Sequence, residues 1–177
     1  MSKVVCIGEC MVECIEGGAN DGVQRFAGDT FNTAVYMARE SRVHEVHFLT
    51  AVGQDVTSVR MLQAMEREGL RVDNILQRPD RTVGRYTIHT DGLGERSFTY
   101  ERGQSAARTL FDDPGSAKQL LRRLDPDLVY LSGISLAILP ESARKQLFIE
   151  LSKYGTVVAF DPNYRPALWE DNDHARR

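Results

Sequence analysis

Short β-branched runs alternate along the chain with stretches whose apolar positions recur at helical spacing. The runs fall at residues 3–7, 46–52, 127–132 and 156–161. Between them, residues 30–41, 57–68, 114–124 and 140–154 carry the helical pattern, with Asp29, Asp55, Asp113 and Pro140 at their starts as caps. Strand and helix in alternation predict a parallel sheet covered by crossover helices, an α/β fold.

One stretch departs from this rhythm. Residues 82–102 read as a strand, an Asp-Gly-Leu-Gly-Glu turn and a second strand, the composition of an antiparallel hairpin. A period of two places Tyr86, Ile88 and Thr90 on one face of its first strand, and Phe98, Tyr100 and Arg102 on one face of its second. Residues 11–26, with turns at Gly17-Gly18 and Asp21-Gly22, are expected to add strands to the same flap. No repeat, low-complexity tract or linker interrupts the chain. The expected organisation is a core of residues 1–10, 27–81 and 103–177 under a β lid of about 11–26 and 82–102.

Composition narrows the functions available. The sequence has 177 residues, 42% of them hydrophobic, enough for the core of one domain or a little more. With 22 basic against 25 acidic side chains and no Lys/Arg run, it lacks the counterion-release term behind non-specific nucleic-acid affinity, so nucleic acid is not an expected partner. The first apolar run is too short for a signal-peptide core and no later stretch approaches a membrane span, which predicts a cytoplasmic protein without a membrane partner. Cys6, Cys10 and Cys14 would line one face of a helix and invite a metal reading. However, Cys6 lies in a Val-Val-Cys-Ile strand, Gly8 interrupts any helix and no His stands nearby, so they are expected to be free, reduced thiols. His44, His47, His89 and His174 form no ligand spacing and are expected at the surface; no metal ligand is assigned.

Three places carry candidate chemistry. In Ala27-Gly28-Asp29-Thr30-Phe31-Asn32 a glycine precedes a helix whose free N–H groups and dipole suit a polar or anionic ligand; a glycine turn with an Asp cap explains the same residues equally well. Asp161-Pro162-Asn163-Tyr164-Arg165-Pro166 follows the last strand, at the carboxyl end of the sheet where open α/β folds place ligands. Its Arg165 offers a planar fork for a carboxylate or phosphate, against the alternative of a surface salt bridge. On the flap, Tyr86, Tyr100 and Arg102 either close over a polar substrate or form ordinary cross-strand packing. Val52-Gly53-Gln54-Asp55 reads as a structural cap. P-loop, protein-kinase and nucleophile-elbow signatures are absent.

Taken in order, Cys6-Ile7-Gly8-Glu9-Cys10-Met11-Val12-Glu13, Gly28-Asp29-Thr30-Phe31-Asn32, Val52-Gly53-Gln54-Asp55, Leu131-Ser132-Gly133-Ile134 and Asp161-Pro162-Asn163-Tyr164-Arg165-Pro166 resemble the ribokinase-like (PfkB) carbohydrate kinases, from residue 3 to about 170. Within the family they are most similar to the kinases that phosphorylate the terminal hydroxyl of a keto-deoxy sugar acid of the 2-keto-3-deoxygluconate type. The resemblance implies a ribokinase-like parallel sheet with a small antiparallel β lid, ATP with Mg2+ as cofactors, and a sugar acid as substrate. It places the sugar turn on Gly28, Asp29, Thr30, Phe31 and Asn32, and the flap contacts on Tyr86, Tyr100 and Arg102. It places Asn163 and Arg165 between substrate and nucleotide. Neutral-sugar members usually carry an Asp where this chain has Glu13, which, with the two arginines, leans towards an acid.

The sequence departs from the family pattern in two ways. The usual Gly-Gly pair at the sugar turn is Ala27-Gly28, and the Gly-Ala-Gly-Asp segment with the catalytic Asp is expected beyond residue 177, together with most of the adenine pocket. The chain alone is therefore expected to hold the acceptor without transferring phosphate. A neutral-sugar kinase and a non-catalytic sugar-acid-binding or oligomerising module are the alternatives. By analogy with related kinases, two lids are expected to pair in a homodimer through apolar outer faces, with Phe98 and Ile88 contributing.

Overall fold

Strand β1 (Ser2–Ile7) supplies side chains to two cores at once, which explains its unbroken apolar run. Val5 and Ile7 enter one cluster of buried residues, while Val4 and Cys6 enter another on the opposite face. The computed structural model describes residues 2–16, 24–40, 43–113, 115–153 and 155–169, with 171 and 175. After β1 come β2 (Met11–Ile15), β3 (Arg25–Ala27), α1 (Asp29–Glu40), β4 (His44–Leu49), β5 (Ala51–Val52), α2 (Val56–Arg67) and β6 (Leu76–Gln77). The hairpin β7 (Arg85–Thr90) and β8 (Arg96–Glu101) follows, then α3 (Ser116–Leu124), β9 (Leu128–Ser132), α4 (Gly133–Ile138), α5 (Glu141–Leu151) and β10 (Val157–Asp161). Two 3-10 turns, Ala106–Thr109 and Pro166–Leu168, complete the described elements.

The main sheet is parallel throughout, in the order β10-β9-β1-β4. Phe31, Ala34 and Val35 of α1 and Met61 and Met65 of α2 pack on one face. Leu120, Leu121 and Leu124 of α3 and Ala143, Leu147 and Leu151 of α5 pack on the other. The expected class, a ribokinase-like parallel sheet between helical layers, is the architecture found. At its edge, β10 leaves Val157 (62% exposed) and Phe160 (51% exposed) uncovered, although such a strand ordinarily buries both faces. No helix among the described residues is long and apolar enough to cross a membrane.

A second sheet has the order β3-β2-β7-β8, with β2 parallel to β7 and the other pairs antiparallel. The hairpin register sets Tyr86 opposite Tyr100 and Ile88 opposite Phe98. Asp91 closes the turn, its carboxylate accepting from the Leu93 and Glu95 amides at 2.9 Å each. Residues 11–26 contribute two strands to this sheet; the glycine turns expected at 17–18 and 21–22 lie outside the described residues, as does His174.

Several local expectations are corrected. The run 46–52 is split at Thr50 into β4 and β5, and β5 pairs with β6 in a small parallel sheet of its own. Asp55 caps α2 as expected, accepting from the amides of Thr57 at 2.9 Å and Ser58 at 3.1 Å. The Asp113 side chain does not cap α3: Gly115 occupies the cap position, only the Asp113 carbonyl accepts from the Ser116 amide at 3.0 Å, and the carboxylate pairs with Arg78 at 2.9 Å. His47 is buried rather than superficial, because β4 is covered on both faces over residues 46–49; burial lowers its pKa. The cysteines are free, Cys6 and Cys10 buried and Cys14 partly so, with burial pushing Cys6 up to about 12.

Candidate functional site

The carboxyl ends of β1, β9 and β10 open on the same side of the sheet as the start of α1, and the lid sheet covers the opening. A cavity of about 220 Å³ lies there. Its floor is Glu9 from the link between β1 and β2, Met11 from the start of β2, and Ile134 from α4. One wall is Ala27, Gly28, Asp29 and Asn32, a second is Asn163 and Arg165, and the roof is Tyr86, Phe98, Tyr100 and Arg102. Parallel strands direct their chain ends to a common edge, so residues more than a hundred positions apart meet without further machinery.

Gly28 is required by a close approach. A Cβ there would fall inside van der Waals contact of the Glu9 carbonyl oxygen, with the carbonyl carbon at 3.3 Å, so only glycine lets the helix start lie against the end of β1. The amide of Asn32 donates to the Gly28 carbonyl at 2.8 Å and begins α1. Asp29 joins the two walls: one carboxylate oxygen accepts from the Thr30 amide and the other from the Asn163 side-chain amide, both at 2.8 Å. Asn163 itself is held with φ +25 by its amide donating to Asp161 at 3.1 Å. Thr30 and Phe31 stand apart from the cavity. Thr30 is fully buried, and Phe31 packs edge-on against Phe48 at 5.6 Å in the core, so they anchor the helix rather than line the opening.

The roof is aromatic and polar on one face. Tyr86, Phe98 and Tyr100 lie with ring centroids 5.9–6.3 Å apart. Tyr86 donates to the carboxylate of Glu13, and burial together with that hydrogen bond pushes its pKa well up, so it is held as a neutral donor. Glu13 is thus turned to Tyr86 and does not line the cavity. Phe98 shares the cavity-facing side, which corrects its expected place on an apolar outer face. The opposite face is polar, with His89 bonded to Glu16 and, at 2.9 Å, to Thr99.

The two guanidinium groups meet the cavity in different states. Arg165 is exposed, and among the described residues it has no ion-pair partner. Arg102 is only 8% exposed and pairs with Glu9, itself 3% exposed. Burial pushes the Glu9 carboxyl above its ordinary range, while Arg102 and the Ser105 hydroxyl that donates to it pull the other way. Sequence reading passed over Glu9. The available signal is an acidic residue two positions beyond a strand whose last four residues are buried, at the edge where parallel sheets bind ligands.

A larger hollow of about 410 Å³ between α1 and α2 takes in Phe31 and Asn32 but neither Arg102 nor Arg165. Among the described residues no group of three or more His, Cys, Asp or Glu side chains gathers to hold a metal ion.

A parallel α/β sheet, a β lid and a cavity with two arginines at the strand ends describe a sugar-kinase fold, and the chain belongs to the pfkB family of carbohydrate kinases, whose profile matches residues 1–177. It is 41% identical over 181 residues to the 2-dehydro-3-deoxygluconokinase of Haemophilus influenzae, an alignment covering 99% of this chain and 58% of that protein. To a fructokinase of Vibrio alginolyticus it is 28% identical, covering 97% of this chain and 54% of that protein. The crystal structure of a PfkB protein from Polaromonas superposes with a TM-score of 0.80 at 25% identity, covering 99% of this chain and 60% of the other. The chain therefore spans somewhat over half the length of the relatives it matches.

Proposed function

We propose that these 177 residues form the acceptor-binding part of an ATP-dependent kinase for 2-keto-3-deoxygluconate. The observation that carries the reading is the convergence of Arg102 and Arg165 on one cavity against the helix start at Gly28. A sugar acid fits with its carboxylate between the two guanidinium groups, its carbon chain under Tyr86 and Tyr100, and its hydroxyls towards Asp29 and Asn32. Identities of 40–41% to several 2-dehydro-3-deoxygluconokinases, against 27–28% to fructokinases, support the acid over a neutral sugar, although the 2-dehydro-3-deoxygluconokinase of Bacillus subtilis stands at 28%.

Family membership implies ATP with a divalent metal. Within the described residues no cluster suits magnesium, so none is assigned to it and no step is routed through it. The Asn163–Arg165 loop suits the phosphate side of the site: Asn163 is latched to Asp29, while Arg165 remains open to a second anion. Phosphoryl transfer needs a base at the attacking hydroxyl and charge neutralisation around the γ-phosphate. These residues contain no Gly-Ala-Gly-Asp segment to supply them. Pairing of two lids in a homodimer remains part of the proposal, through the cavity-facing side, where Ile15, Phe98 and Tyr100 are about half exposed.

Calorimetric titration tests the reading. The chain is expected to bind 2-keto-3-deoxygluconate at least about tenfold more tightly than 3-deoxyfructose, which carries CH2OH in place of the carboxylate, since a charge-assisted hydrogen bond contributes about 1.5–3 kcal/mol. Arg165→Gln should remove most of that preference without unfolding an exposed position. Equal affinity for acid and alcohol would remove the acid from the proposal and favour a neutral sugar. Turnover of MgATP and the acid by these residues alone would contradict the division between acceptor site and transfer machinery.

A further inference from the structure

Glu9 is a charged side chain held almost entirely out of water at the inner end of the cavity, and two other chain segments, at Gly84 and at residues 102–105, converge on it. One carboxylate oxygen accepts from the Ser105 hydroxyl and the other pairs with Nη2 of Arg102. The lid enters above it at Gly84, where a Cβ would come to 2.8 Å from the Glu9 carboxylate and 3.3 Å from the Arg102 Cβ. Nε of Arg102 is buried without an acceptor among the described residues. Nη2 of Arg102 and the Glu9 oxygen that faces it are likewise without a hydrogen-bond partner among the described residues, so the two side chains meet as an ion pair and the guanidinium keeps unmatched donors, a costly state for so enclosed a charge. Arg102 and Tyr100 both line the cavity.

We propose that Glu9 is the positioning residue of the sugar-acid site: it grips one edge of the Arg102 guanidinium from inside the protein and leaves the rest of the fork to the carboxylate of the substrate. Arg102 then stands between two carboxylates, one fixed and one exchangeable. The fixed one cancels much of the charge, so recognition of the acid depends on where the fork points rather than on a strong local field. A planar, five-donor fork suits this double use, and a lysine would not. Glu9 touches no substrate atom in this arrangement and acts only through Arg102. The inference rests on the proposed sugar-acid reading of the cavity.

The test is a double-mutant cycle read by calorimetric binding of 2-keto-3-deoxygluconate and of 3-deoxyfructose. Glu9→Gln keeps the shape and removes the charge that orients Arg102. It is expected to weaken acid binding about tenfold and leave the alcohol within about twofold, and the loss should vanish in an Arg102→Gln background. Should Glu9→Gln fail to fold by circular dichroism, Ser105→Ala, which frees only one oxygen of Glu9, is expected to give a loss in the same sense of about threefold. Equal losses for acid and alcohol would show a merely structural residue and overturn the proposal. So would unchanged or tighter acid binding, or a loss that persists without Arg102. An unmutated chain with no preference for the acid overturns the parent reading as well, which separates the two failures.

Discussion

Arg102→Ala is expected to cost about 3–5 kcal/mol of folding stability at neutral pH, because it strands the buried Glu9 carboxylate without a counter-charge. The loss should depend on pH in a definite direction. In the folded protein burial already raises the Glu9 pKa above its ordinary 4.5, and Arg102 is the largest influence opposing that rise. Without Arg102 the folded-state pKa climbs further while the unfolded value stays put. The folded state then holds a proton that the unfolded state has released, so stability falls as pH rises through the interval between the two values. The deficit should be small near pH 4.5 and grow towards neutrality. Denaturant unfolding of the wild type and variant at a series of pH values measures it. A deficit below about 1 kcal/mol that is flat with pH would mean that Glu9 and Arg102 are not the enclosed pair described above.

Gly28→Ala is expected to be the most damaging change at the helix start. The new methyl group would press on the Glu9 carbonyl, which is backbone two positions beyond a strand whose last four residues are buried and cannot rotate away. Either α1 lifts from the sheet or the end of β1 shifts, at about 1–3 kcal/mol for such overpacking. Either movement displaces Asp29 and Asn32 relative to Arg165, and acid binding should fall by about tenfold or more. Gly92→Ala provides the contrast: nothing lies within 4 Å of that position, at the exposed tip of the hairpin, and neither stability nor binding should change. Thermal melting and titration of the two variants together check this. Equal behaviour would show that the helix start has room the geometry denies it.

The parts of the fold that could be read from the sequence are those in which one physical rule acts alone. The strands β1 and β9 are apolar runs buried in the sheet, β10 is an apolar run at its edge, and α1, α2 and α5 have long apolar periodicity, so their positions follow from pattern. The hairpin was legible because its turn chemistry and its alternation agree. Short elements were not: α4 has six residues, fewer than two turns, and is stabilised by the Ser132–Ser135 capping box rather than by any period. The break at Thr50 was hidden because the run 46–52 is nearly all apolar. At the site, the candidates Gly28, Asp29, Asn32, Tyr86, Tyr100, Arg102, Asn163 and Arg165 follow from the sequence, and the topology brings them around one cavity. The states of Arg102 and Asn163 were not legible. Whether an arginine is free or already paired depends on what the fold places beside it, and here the partners, Glu9 and Asp29, come from strand and helix ends far along the chain.

The most direct measurement of the central claim is a crystal structure of the chain with 2-keto-3-deoxygluconate bound. The predicted result has the carboxylate within hydrogen-bonding distance of both Arg102 and Arg165, with the sugar chain beneath Tyr86 and Tyr100 and against the backbone at Gly28. Density for the sugar in the hollow between α1 and α2, or a carboxylate turned to solvent with both guanidinium groups left empty, would contradict it.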